Sequence, residues 1–161
     1  MTNVRLNNFV VQELIPAALY QHRGDKAIEC MDLRIVKALD LLRDNMRVLG
    51  VDNGFIVNNW HLGGTRQFSG LRTPASTDYS PSSQHTFGRA IDFITKTPIA
   101  DIHRQIIDNP SVYTEITFIE IDIHWCHIDC RVNSDGSALT LWSPKRGVVS
   151  IEQYRAELMV K

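Results

Sequence analysis

Apolar residues recur at steps of three and four between residues 26 and 49, where Ile28, Met31, Ile35, Leu39, Leu42, Met46 and Leu49 form one stripe. That period predicts an amphipathic helix, and Gly50 supplies its stop. A second helix is expected after Thr97-Pro98, with Thr as cap and Pro at the first helical position. Ile99, Ile102 and Ile106 share its face until Asn109-Pro110 ends it. A third begins at Ser150, with Gln153 completing a capping box. Short runs rich in β-branched and aromatic residues predict strands at 55–58, 90–94, 117–121, 125–132 and 138–142. Asn133-Ser134-Asp135-Gly136 joins the last two and signals a hairpin. Between Trp60 and Gly88 the chain is mainly Gly, Ser, Thr, Pro and Gln, a long loop of the kind that often carries function. The pattern is that of a single α+β domain with antiparallel pairing late in the chain.

The 161 residues are 43 % hydrophobic, with 17 Lys and Arg against 18 Asp and Glu. This is enough chain for a real core, and the composition excludes disorder, collagen and coiled coil. A net charge of −1 gives no basic footprint for phosphates or anionic lipid, so neither nucleic acid nor membrane is expected as a partner. Met1 to Leu14 mixes Asn, Arg and Glu among its apolar residues and shows no secretory signal, and no stretch reaches membrane-spanning length. Cys30, Cys126 and Cys130 form no CxxC and no even-numbered framework, which favours reduced thiols and synthesis in the cytoplasm.

Chemistry concentrates in two segments. In Ser83-Gln84-His85-Thr86-Phe87-Gly88-Arg89-Ala90-Ile91-Asp92 a loop His precedes an Asp on a predicted strand by seven positions. In His124-Trp125-Cys126-His127-Ile128-Asp129-Cys130-Arg131 strand alternation turns Trp125, His127, Asp129 and Arg131 one way and His124, Cys126, Ile128 and Cys130 the other. Imidazole and carboxylate are good zinc ligands, and a catalytic zinc takes three protein ligands with a fourth position open, a count that His85, Asp92 and His127 meet. The plainer alternative is a solvated loop His85 and a core His127 that is merely hydrogen-bonded.

The spacing Ser83-x-His85-x-x-Gly88-x-Ala90-x-Asp92 resembles the SxHxxGxAxD motif of the peptidase M15 family, which includes D-alanyl-D-alanine carboxypeptidases and phage peptidoglycan endopeptidases. Ser69-Gly70-Leu71-Arg72 is similar to the family's SGxR segment, Trp125-x-His127 to its WxH segment, and Asn8 to Leu14 to a common N-terminal segment. The likeness spans residues 8–131. It implies a Hedgehog/DD-peptidase-like fold, a small antiparallel sheet flanked by helices, with Zn²⁺ held by His85, Asp92 and His127. It also implies a zinc peptidase that cuts an amide bond in the peptide part of bacterial peptidoglycan, acting on the cell wall after release or as a virion component. Arg72 is then a catalytic and substrate-binding residue that grips a carboxylate or carbonyl. Ser83 and Gln84 set the loop and bind substrate, and Gly88 permits the turn. The competing expectation is a non-catalytic cell-wall-binding or structural module that keeps the fold, with or without the metal. Endopeptidase and carboxypeptidase both remain open, as does the oligomeric state.

The chain departs from the family at the proton-transfer group. Three positions before the last ligand, where many members carry Glu or Asp, stands His124. Its position places it ahead of Asp122 and Glu120, two carboxylates that a bulge or strand-entry turn would aim at the metal, although alternation argues against residues three apart sharing a face. Asp129 is expected to orient His127. His61 either lines the cleft or is exposed, and His103 is expected at the surface of the second helix.

Overall fold

The computed structural model describes residues 6–51 and 54–160, so the first five residues of the Met1–Leu14 stretch lie outside the described residues. The long predicted helix starts late. Residues Gly24–Cys30 form a 3-10 turn, and α2 runs Leu33–Val48. The Asp32 carboxylate accepts the Arg34 N–H at 3.0 Å and so caps the helix. Ile35, Leu39, Leu42 and Met46 are buried along it as the stripe required, whereas Leu49 lies past its end and is exposed. A preceding helix, α1 (Ala17–Arg23), is too short to show a period. The second predicted helix is α3 (Ile99–Asp108), capped by Pro98 rather than Thr97, whose hydroxyl donates to the Val51 carbonyl instead. Ser150 caps α4 (Ile151–Met159), its Oγ accepting the Gln153 N–H at 3.1 Å, while the Gln153 side chain reaches Glu157 instead of closing the box.

Five strands follow the order β1-β3-β2-β4-β5, with β1 Ala90–Phe93, β2 Phe118–Glu120, β3 Cys126–Asp129, β4 Thr140–Ser143 and β5 Gly147–Val149. The fold is α+β as expected, but the sheet is mixed, because β4 pairs with β2 in parallel. The hairpin expected across Asn133 to Gly136 does not form. Both edges of β3 are taken, by β1 and β2, so the chain crosses to the free edge of β2. Asn133 pins the crossing by donating to the Thr117 and Ser137 carbonyls at 2.9 and 3.0 Å. The tight hairpin comes one strand later, between β4 and β5, with Gly147 at a positive φ of 74°. The run at 55–58 contributes a single bridge, Ile56 to Ile94.

One sheet face carries Ile91, Phe93, Ile119, Cys126, Ile128 and Leu141, which join Ile35, Leu39, Ile102 and Ile106 of the helices in one apolar core. Among the described residues no helix is long and apolar enough to cross a membrane.

His103 is the main correction to the helix reading. It follows Ile99 by four and precedes Ile106 by three, so it belongs to the apolar stripe, and it is only 1 % exposed. Its Nδ1 lies 2.7 Å from the Tyr154 hydroxyl of α4, and its Nε2 has no partner among the described residues. Burial pushes its pKa down to about 4, against the pull of the Asp122 charge. An unfolded imidazole titrates near 6.5. Between pH 6.5 and 4 the unfolded chain therefore binds a proton that the folded chain refuses, and stability falls as pH drops through that window. The expected loss is about 3 kcal/mol. Denaturant titrations at pH 7 and pH 4 should show a smaller acid loss for His103→Gln than for the wild type, and an equal loss in both would contradict this account.

Candidate metal centre

The second face of the sheet is polar, and strand register explains why the site lies there. Asp92 of β1 pairs with His127 of β3, His127 with Glu120 of β2, and Glu120 with Trp142 of β4. Directly paired residues share a face, so these four side chains form one row across four strands. All four line a cleft of about 950 Å³. Trp125 and Arg131 line it as well, in agreement with the alternation read from the sequence.

The loop over β1 closes the other side. Asp92 N–H donates to the Ser69 carbonyl at 2.7 Å and Arg72 N–H to the His85 carbonyl at 3.1 Å, which fixes the 69–72 segment beside both ligand candidates. Ser83 Oγ accepts the His85 N–H at 3.3 Å. Gly88 ends the His85 turn at φ 66°, where a Cβ would strike the Cys30 carbonyl. Only glycine meets both demands.

The geometry of the three ligand candidates is specific. His85 is 4 % exposed, and its Nδ1 lies 2.8 Å from the Gly70 carbonyl. A carbonyl only accepts, so Nδ1 carries the hydrogen and Nε2 presents its lone pair, 3.1 Å from Asp92 Oδ2. His127 repeats the arrangement. Its Nε2 lies 3.1 Å from Asp129 Oδ2, and its Nδ1 faces Asp92 Oδ1 at 2.8 Å. The Asp92 carboxylate thus stands between two imidazole nitrogens whose ring partners are already committed as donors. A neutral imidazole there opposes lone pair to anion. Only a cation relieves the contact, either a proton on each ring or a metal ion shared by all three groups. The three ligand atoms lie within 4.8 Å of one another, and the donor set of two imidazoles and one carboxylate suits a divalent transition metal. The alternative of a solvated His85 is removed by its burial.

The electrostatics agree. Burial works against a charge on His127, but the carboxylates of Asp129 and Asp92 outweigh it and push its pKa up to about 9. Burial likewise opposes the Asp92 charge, yet hydrogen bonds from His127 and His85 hold its carboxyl below the usual range. The site is built to hold positive charge.

Asp129 is fully buried and orients His127, as anticipated. It is in turn clamped by Arg131, whose Nε lies 2.9 Å from each carboxylate oxygen and whose second nitrogen also pairs with Oδ2. The Arg131 guanidinium lies 3.5 Å from the centre of the Phe118 ring. Such partners fix a ligating ring and raise its basicity. Asp129→Ala is expected to weaken divalent-metal binding by about 10–100-fold, read by competition with a chromogenic chelator. Unchanged affinity would remove Asp129 from this role.

Arg72 is no surface residue. Its guanidinium donates to the Phe68 and Asp78 carbonyls at 3.3 and 3.4 Å and reaches Asp92 Oδ2 at 3.3 Å, with one edge in the cleft. Gln84 lines the cleft with a buried Oε1 that has no partner among the described residues.

Of the three proton-transfer candidates, the structure brings Glu120 to the cleft and leaves the others outside. His124 is exposed on the bend at 122–125 and is not among the cleft residues. β3 begins only at Cys126, and the bend before it leaves His124 in solvent. Asp122, in the left-handed region at φ 63°, is bound by Ser143 Oγ at 2.7 Å and Arg146 Nε at 2.8 Å and does not line the cleft. Burial raises the Glu120 pKa above the ordinary carboxylate value, and the Asp92 charge adds to the rise against His127 and Arg131.

His61 neither lines the cleft nor is fully exposed; it packs at the edge of the Trp60 ring. Cys126 and Cys130 are buried free thiols, pushed up by burial to about 12 and about 11, and neither lines the cleft. Phe118 and Trp142 line the cleft without having been singled out in the sequence, although the alternation of Leu141, Trp142 and Ser143 already set Trp142 apart from the core.

Comparison of the chain with family models, with curated proteins and with solved structures returns no match. What the cleft does must be read from its side chains.

Proposed function

We propose that this chain is a zinc peptidase that hydrolyses an amide bond in the peptide part of bacterial peptidoglycan. The observation that carries the reading is the Asp92 carboxylate held between two imidazole nitrogens in the wall of an open cleft, with a carboxylate and an arginine beside them. His85 Nε2, Asp92 and His127 Nδ1 would hold a zinc ion, which would supply a Lewis acid for the scissile carbonyl and lower the pKa of water toward neutrality.

The chain's own residues do the rest. Glu120, one strand from His127 in the same row, takes the proton from the attacking water on its carboxylate and delivers it to the leaving amine. Arg72 directs its guanidinium at a substrate carboxylate or carbonyl, and its two carbonyl contacts hold it there. Gln84, next to His85 in the lining of the cleft, shapes the surface that meets the substrate. The choice of peptidoglycan rests on the resemblance of the 83–92, 69–72 and 125–127 segments to the M15 peptidases.

The test is release of new amino groups from purified peptidoglycan by the zinc-loaded protein. Activity should vanish with a chelator and return with zinc. No release under either condition would leave a non-catalytic module. Arg72→Lys should retain the metal and lose about 10–100-fold in turnover, because an ammonium cannot reproduce the planar two-pronged grip and charged hydrogen bonds of this kind contribute about 1.5–3 kcal/mol. Wild-type kinetics on a cell-wall peptide would demote Arg72 to a support for Asp92.

A further inference from the structure

The polar row does not end at Glu120. Trp142 continues it on β4, and Trp125 stands on the same face at the entry to β3, 38 % exposed. The catalytic reading uses neither. Among the described residues neither indole N–H has an acceptor, in contrast to Trp60, whose Nε1 donates to the Ile15 carbonyl at 2.9 Å. Two indoles with free donors therefore line the cleft, and Glu120 is paired beside Trp142. A peptide's apolar side chain is usually taken by a concave apolar pocket that closes around it. An open sheet face with indole planes and polar neighbours suits a ligand that has an apolar ring face and polar edges, as a pyranose does.

We propose that Trp142 and Trp125 form a saccharide subsite, so that the enzyme recognises peptidoglycan by the sugar that bears the peptide as well as by the peptide. This inference rests on the peptidase reading. Strand spacing of about 4.8 Å puts Trp142 roughly 10 Å across the sheet from His127. An extended peptide covers about 3.5 Å per residue. A sugar stacked on Trp142 thus places the cut two to three residues along the peptide from the saccharide.

The experiment is an NMR titration of the protein with an N-acetylglucosamine trimer, following the three indole N–H signals. The Trp125 and Trp142 signals should move saturably while that of Trp60 stays fixed. Binding should weaken about 10-fold in Trp142→Ala and survive in Trp142→Phe, which keeps an aromatic face. Trp125→Ala, on the exposed bend, serves should Trp142→Ala fail to fold. In kinetics, either alanine variant should raise KM for a sugar-bearing muropeptide about 10-fold more than KM for the same peptide without sugar. Absence of a saturable shift, equal KM changes on both substrates, or a cut far from the sugar-bearing end would overturn the subsite. The titration needs neither metal nor turnover. A protein that binds the saccharide but holds no zinc would instead sink the peptidase reading and keep this site.

Discussion

Alanine at His85, Asp92 or His127 is expected to abolish stoichiometric zinc binding and to take turnover to the limit of detection. Each residue would supply one of three ligands, and no fourth His, Cys, Asp or Glu completes the group among the described residues. The loss should exceed the ~10–100-fold that follows removal of an orienting partner such as Asp129. Zinc should also raise the stability of the wild type, by about 4 kcal/mol when free metal stands at 1,000 times the Kd, and should leave the three variants unmoved. Elemental analysis and thermal unfolding with and without zinc read this without any assay of activity. Full metal content in any of the three variants would remove that residue from the ligand set.

The second large effect is at Glu120. Glu120→Gln keeps size and shape but cannot carry the proton, so turnover should fall by roughly 10²–10⁴-fold with zinc retained. His124→Ala and Asp122→Asn should stay near the wild type in turnover, because the first removes an exposed side chain on a bend and the second alters a contact with Ser143 and Arg146 outside the cleft. Kinetics of the three variants on one substrate decide among them. Collapse of activity in His124→Ala with a normal Glu120→Gln would restore the position suggested by sequence alone.

These two expectations mark where the sequence was legible and where it was not. The convergence of His85, Asp92 and His127 was, because seven residues from a loop His to a strand Asp, and two-residue alternation through Trp125, His127 and Asp129, are local features that survive folding. The α2 stripe was legible for the same reason, although the Asp32 cap moved its start. Which of the proton-transfer candidates reaches the cleft was not. Whether residue 120, 122 or 124 lines it depends on where β3 begins and how the chain turns before it. That turn includes Asp122 at a positive φ, which no periodicity announces. Nor was the parallel pairing of β4 with β2 visible, since the turn residues at 133–136 signal a hairpin whether or not the neighbouring strand edge is free. Trp142 entered the cleft only through that pairing. His103 could have been read correctly, because its spacing from Ile99 and Ile106 already put it on the buried stripe.

Hydrolysis of a peptidoglycan amide bond by the zinc-loaded cleft is read out by mass spectrometry of purified cell walls digested in oxygen-18 water. Each cut is expected to yield two new products, an acyl-side one with one labelled oxygen in its new carboxyl group and an unlabelled one with a new amino group, present with zinc and missing with Glu120→Gln. Cell walls left intact by the zinc-loaded wild type, or label found only at the reducing ends of cut glycan strands, would contradict it.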